Sequence, residues 1–165
     1  MEFPLRSGER ELIDYLSISS DTIRQLNPRQ FEGAVKSIYR NLGFSVESMG
    51  RWNEQDGGVD LIAISKSPSN GEVRTAIQCK ASGNTISARP LRELAGVMPR
   101  FGARLGIVVT TSSFTAPARR ERDSWFMNIE LADRQSLYDK VQQIMGAWGI
   151  DTTAEDGPVI EIELG

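Results

Sequence analysis

The stretch from Gly57 to Lys80, GGVDLIAISKSPSNGEVRTAIQCK, constrains the fold of this chain more than any other. It reads as a pair of β-strands joined by a turn. Val59, Leu61, Ile62, Ala63 and Ile64 supply the first strand, and Val73, Ala76, Ile77 and Cys79 the second. The intervening SKSPSNGE holds the Ser, Pro, Asn and Gly from which turns are built. Polar side chains stand out against this apolar background: Asp60 opens the first strand, and Gln78 and Lys80 close the second. Side chains two apart on a strand share a face, so Gln78 and Lys80 are neighbours and Cys79 faces away. If the strands pair, Asp60 joins them. An acid, a second oxygen ligand and an ammonium on one patch suit a divalent cation and a phosphate.

What the chain lacks narrows its chemistry. It has 165 residues, enough for one domain with a full core, and no histidine. Mechanisms built on Ser-His, Cys-His or His-metal pairs are therefore excluded, leaving carboxylates, lysine, amides and hydroxyls. Cys79 is the single cysteine, so no internal disulfide can form. No run approaches the length of a membrane span, and Met1-Glu2-Phe3 opens without a basic or apolar leader. These features lead to the expectation of a cytoplasmic protein without a membrane partner.

The charge is unevenly spread. Between Lys80 and Arg122 eight basic residues stand against Glu93 and Glu121, a balance of +6 in a chain of −3, so the remainder carries −9. Such a block attracts phosphates locally, or it is a set of solvated helix faces. Arg89, Arg92, Arg119 and Arg120 are the candidate nucleic-acid contacts within it.

Along the chain, residues 1–25 read as a helical extension packed on the core. Asn27 is a good N-cap and Pro28 suits the first helical position, opening a helix whose Phe31, Val35, Ile38, Tyr39 and Leu42 recur at helical spacing. Gly43 ends it. Phe44–Ser48 alternates as a first strand. Asp56 is a turn residue or a second acid at the site. A helix begins at Ala88–Leu91, and Leu105–Ser112 is an apolar run ending in hydroxyls, the pattern of a buried strand parallel to its neighbour. A helix through Arg122, a strand at Ile129–Leu131 and a helix over Asp133–Trp148 complete the order. Residues 149–165 form an acidic tail in which Val159–Leu164 alternates as a candidate edge strand.

Several of these phrases resemble the PD-(D/E)XK nuclease superfamily, and within it the Mrr-like restriction endonucleases. The run D-G-G-[VI]-D is Asp56-Gly57-Gly58-Val59-Asp60 here, and Q-x-K is Gln78-Cys79-Lys80. Leu26-Asn27-Pro28-Arg29-Gln30-Phe31-Glu32, the run from Ile86 to Gly96 with its Arg89-Pro90, and Gly106-Ile107-Val108-Val109-Thr110-Thr111-Ser112 are similar to the same family. The resemblance covers roughly Leu26 to Leu131, within a nuclease domain expected over residues 26–148. It implies an α/β restriction-endonuclease-like core, a central mixed sheet flanked by helices. It implies metal-dependent hydrolysis of DNA phosphodiesters, in restriction or anti-phage defence, with Asp60, Gln78 and the Cys79 carbonyl holding Mg²⁺ or Mn²⁺. Lys80 would neutralise charge at the reacting phosphate. Glu32 would orient the attacking water, or it is a helix-favoured acid with no catalytic part. Gln78 departs from the usual acid and is a weaker, neutral ligand. Two alternatives stay open: a nucleic-acid-binding module or effector subunit of a larger assembly, and a nuclease of the same fold acting on junctions or RNA. Homodimers, or a partner subunit supplying specificity, are implied by analogy.

Overall fold

The computed structural model describes residues 7–49, 58–69 and 71–150. Its frame is a five-stranded sheet in the order β1-β2-β3-β4-β5. The strands are β1 (Ser45–Ser48), β2 (Leu61–Ser67), β3 (Gly71–Lys80), β4 (Leu105–Thr110) and β5 (Ile129–Ala132). The β1-β2 and β2-β3 pairs are antiparallel, and β3-β4 and β4-β5 are parallel. The sheet is therefore mixed, and the two strands read from Gly57 to Lys80 are its hairpin. Around it lie α1 (Ser7–Ser17), α2 (Ser20–Arg24), α3 (Pro28–Asn41), α4 (Arg89–Val97), a 3-10 turn at Met98–Phe101, α5 (Ala116–Trp125) and α6 (Arg134–Ala147).

The period of two along β2, β3 and β4 divides the core into two layers. Leu61, Ala63, Ile77, Ile107 and Val109 face one side, where Phe31, Val35 and Ile38 of α3 and Leu137, Val141 and Ile144 of α6 cover them. Ile62, Ala76 and Val108 face the other, under Leu91, Leu94 and Met98. Full burial of such a side chain is worth about 1.5–3 kcal/mol, so the alternation fixes which way each strand is turned. The amino-terminal helices belong to the first layer: Ile13, Leu16 and Ile23 are buried in it, and the Ser17 carbonyl accepts from Gln142 Nε2 at 3.1 Å.

Local signals set the element ends. Asn27 accepts from the Gln30 N–H at 2.8 Å, and the Gln30 side chain accepts from the Asn27 N–H at 3.0 Å, a reciprocal cap that starts α3 with Pro28 in the first turn. Gly43, at φ 102°, follows its end. Gly106 has a different role. A Cβ there would lie 2.8 Å from Met98 Sδ and 3.0 Å from Leu94 Cδ2, so α4 and the turn after it lie directly on the backbone of β4. The tail over residues 151–165, with its candidate edge strand, lies outside the described residues.

Candidate active site

Asp60 immediately precedes β2 and is held on both sides by backbone bonds. Its N–H donates to the Ile77 carbonyl at 2.9 Å, and its carbonyl accepts from the Met49 N–H at 2.8 Å. Its side chain takes part as well: Oδ2 accepts the Cys79 backbone N–H at 2.7 Å. The last pair of the β2-β3 ladder is Leu61 with Ile77, and Asp60 stands just beyond it, bonded to Ile77 by its main chain and to Cys79 by its side chain. A carboxylate thus takes over from the main chain where the two strands end.

Gln78 lies in the sheet interior and is 1% exposed. It stands on the face of Ala76, turned toward the α4 layer, with half-buried Lys80 two residues on. Gly58 covers it. At φ +74° Gly58 has a backbone that favours glycine, and a Cβ there would lie 2.5 Å from Gln78 Nε2. The glycine therefore leaves space over the amide that any side chain would fill. Asp56 and Gly57 lie outside the described residues.

Cys79 points to the opposite layer, packed against the α3 side of the core. Burial pushes its thiol well above the ordinary range, and the carboxylates of Asp60 and Glu32 push it further. Both acids thus act on one sulfur atom from different elements, Asp60 from the sheet and Glu32 from α3. With α3 starting at Pro28, Glu32 is past the first turn, where the helix dipole acts most strongly.

The strand end beyond Lys80 is clamped. Lys80 is paired with Thr110, and its carbonyl accepts from the Thr111 N–H at 3.3 Å. Thr111 Oγ1 accepts from the Ser82 N–H at 3.1 Å and donates to the Ser82 carbonyl at 3.2 Å, while Ser112 Oγ donates to the Asn84 carbonyl at 2.7 Å. Ile86 and Phe114 form an isolated parallel bridge just beyond. The hydroxyls that end β4 thus fix the segment that leaves β3. Beside them opens a cleft of about 400 Å³, whose lining includes Arg24, Pro28, Ser82, Ser112 and Arg134. Neither arginine was singled out by sequence reasoning, since they lie more than 100 residues apart and outside the basic block.

Three of the four candidate arginines within that block are engaged. Arg89 pairs with Glu93 at 2.9 Å, Arg92 with Glu121 at 2.8 Å, and Arg119 with Asp133 at 3.0 Å. The Arg119 guanidinium also sits 5.9 Å over the Phe114 ring. Glu121 holds the Arg92 guanidinium above its ordinary pKa. Burial works to raise the Asp133 pKa, but the Ser136 N–H and Arg119 outweigh it and bring the carboxyl below its usual value. Arg120 is exposed. The four do not gather around Gln78 as a single group; Arg89 and Arg92 lie on α4, and Arg119 and Arg120 on α5.

The restriction endonuclease family model Mrr_cat matches residues 23–141, well over half of the sequence. The chain belongs to that family. The type IV methyl-directed restriction enzyme EcoKMrr of Escherichia coli (strain K12) is 29% identical over 105 residues, an alignment covering 60% of this chain and 33% of the enzyme. The chain thus spans about a third of that relative. Among solved structures, the DNA modification-dependent restriction endonuclease AspBHI is similar at a TM-score of 0.59 and 22% identity, over 88% of this chain and 40% of the other. A protein of unknown function, AF1548, is similar at a TM-score of 0.53 and 13% identity, over 73% of this chain and 66% of the other. At these identities the structural likenesses establish the fold, a restriction-endonuclease-like α/β core. No helix among the described residues is long and apolar enough to cross a membrane.

Proposed function

We propose that this Mrr-family chain is a metal-dependent endodeoxyribonuclease, hydrolysing DNA phosphodiester bonds in restriction. The observation that carries the reading is the bond from the Cys79 N–H to the Asp60 carboxylate, which sets that acid beside the residue between Gln78 and Lys80. Family membership supports it.

The residues present fit a hard divalent cation. Asp60 and Gln78 offer side-chain oxygens from the two strands of the hairpin, Asp60 at the head of β2 and Gln78 near the end of β3. Mg²⁺ and Mn²⁺ are hard cations that take oxygen ligands and keep several waters. Asp60, Gln78 and the Cys79 carbonyl would hold it. When bound, such a cation supplies Lewis-acid polarisation of the phosphoryl oxygen. The chain's own groups do the rest. Lys80 neutralises the charge that develops on the phosphate in the transition state. Glu32 orients the attacking water and accepts its proton. Asp60 keeps its carboxylate fixed through the Cys79 N–H, so little reorganisation accompanies reaction.

The relatives named methyl-directed and modification-dependent make modified DNA the substrate class to test first. We assign the reading of the modification, and pairing for double-strand cuts, to a companion domain, a partner subunit or a second copy, and the site of action to the cytoplasm. The neutrality of Gln78 favours a second reading, a binding module with weak or no cleavage. Incubation with methylated and unmethylated supercoiled, linear and single-stranded DNA, with Mg²⁺, Mn²⁺ or EDTA, decides between them. Cleavage that needs the metal supports the nuclease. Retarded but intact DNA under every condition supports the binder.

A further inference from the structure

The cleft at the carboxyl ends of β3 and β4 has a charge character unlike the rest of the molecule. Among the described residues that line it, Arg24 and Arg134 are the only charged ones, with no Asp or Glu. Among the described residues neither arginine has an ion pair, whereas Arg89, Arg92, Arg119 and Arg122 each hold a carboxylate. The nearest acid in sequence, Asp133, is turned to the Ser136 N–H at 2.9 Å and to Arg119 at 3.0 Å. The described lining of this concave surface is thus basic in a chain whose net charge is −3.

The position is equally specific. Ala81 and Ser82, which directly follow Lys80, form one wall, and Thr111 and Ser112 another. Two residues of extended chain span at most about 7 Å. Phosphates of a duplex recur about every 3.4 Å of axis along each strand. The cleft therefore begins within about 7 Å of the Lys80 backbone, the scale of one or two phosphate steps. Thr85 and Ser113 add exposed hydroxyls, and Leu26 and Ala81 add apolar surface suited to a sugar. Guanidinium forks bind phosphate oxygens in pairs, with geometry as well as charge.

We propose that this cleft receives a backbone phosphate of the nucleic acid adjoining the one at Asp60, Gln78 and Lys80, with Arg24 and Arg134 as its positioning residues. The inference rests on the nuclease reading above. It assigns the strand's path toward the carboxyl ends of β3 and β4, between the starts of α3 and α6.

The test is binding of an end-labelled duplex in EDTA, followed by anisotropy across a salt series. The proteins are the full wild-type chain, Arg24→Ala, Arg134→Ala, the double variant, their lysine counterparts, and Lys66→Ala at the far turn as control. In parallel, inorganic phosphate is titrated into ¹⁵N-labelled protein while the Arg Nε–H signals are followed, with the two alanine variants identifying Arg24 and Arg134. Each true contact contributes about 0.9 to the slope of log affinity against log salt. The proposal expects each alanine to flatten the slope by about that amount, and the double variant by about twice as much. Lysine should restore most of it, and Lys66→Ala should leave it unchanged. If the wild type binds duplex and both alanine variants keep its slope, the cleft proposal fails while the nuclease reading stands. If the wild type binds no duplex but phosphate moves both arginine signals, the cleft serves a free phosphate compound, and both readings fall. If neither ligand has an effect, both fall as well.

Discussion

The Asp60 carboxylate accepts the Cys79 backbone N–H at 2.7 Å, so the acid at the head of β2 is tied to the residue between Gln78 and Lys80. This bond makes Asp60 structural as well as chemical, and separates two substitutions that sequence alone would treat as equivalent. Asp60→Asn keeps an acceptor for the Cys79 N–H, whereas Asp60→Ala leaves that donor without one at a cost of about 1–3 kcal/mol. Both should abolish cleavage; only alanine should lower the denaturation midpoint clearly. Cleavage and urea unfolding of the two variants check this. An active Asp60→Asn protein would remove Asp60 from the site.

Gln78→Glu should trade metal-free stability for metal affinity. At 1% exposure and next to the residue that Asp60 holds, a carboxylate at 78 is desolvated and meets a like charge, so Tm should fall in EDTA. Added Mg²⁺ or Mn²⁺ should recover it and saturate cleavage at lower concentration than wild type, because a ligand that binds only the folded state stabilises it. Lys80→Ala should instead lose turnover with little change in the metal midpoint. The relevant measurements are melting and cleavage across a metal titration. A Gln78→Glu protein whose melting ignores metal would mean that position 78 is no ligand.

Gly58→Ala should damage the site from outside the chemistry. The φ of +74° and the 2.5 Å approach of a Cβ to Gln78 Nε2 act together, so either the turn or the amide must move. Strain of this kind costs on the order of 1–3 kcal/mol. Chemical denaturation should show that loss, and a higher metal requirement should accompany it. A variant as stable and as active as wild type would show that the space above the amide is not used.

The Cys79 thiol serves as a gauge of the nearby acids. Its folded-state pKa lies well above the ordinary 9.0, through burial first and then Asp60 and Glu32. The folded protein therefore holds this proton more tightly than the unfolded chain. The stability it contributes is fully present below about pH 9 and is lost as pH rises beyond, where the unfolded thiol ionises first. Glu32→Gln removes one of the charges and should bring thiolate absorbance at 240 nm to a lower pH. An unchanged titration would place Glu32 out of electrostatic reach of β3.

Much of the frame is visible in the amino-acid pattern because it rests on short-range physics. The Asn27–Gln30 cap, the turn glycine at 43 and the alternation of Leu61–Ala63 against Ile77 are local, and each implies its own geometry. The hairpin register follows from which residues must be buried, and with it the meeting of Asp60 and Cys79. What stayed hidden is set by tertiary contact. Arg24 and Arg134 share a cleft through the packing of α2 and α6 at the ends of β3 and β4, and no spacing records that. Within the basic block, the pairs of Arg119 with Asp133 and of Arg92 with Glu121 also cannot be anticipated from charge along the chain. The burial of Gln78 is likewise a property of its central strand, for a polar residue near a strand end reads in sequence as solvated.

Arg92 and Arg120 allow the block to be divided. Arg120→Ala should flatten the salt dependence of duplex binding by about 0.9 with unchanged melting, if this exposed side chain reaches a phosphate. Arg92→Ala should lower Tm, since its partner Glu121 is the tie between α4 and α5. Equal melting of the two variants would show that the pair is dispensable to the packing of these helices.

The bare backbone of Gly106 has a consequence at the surface. Leu94 and Met98 reach down to β4 because no carbon stands between them and the strand. A methyl group there would act as a wedge beneath α4, and the helix carries Arg89 and Arg92 on its outer side. The height of those two charges above the sheet is thus set by a single hydrogen atom on the far side of the helix.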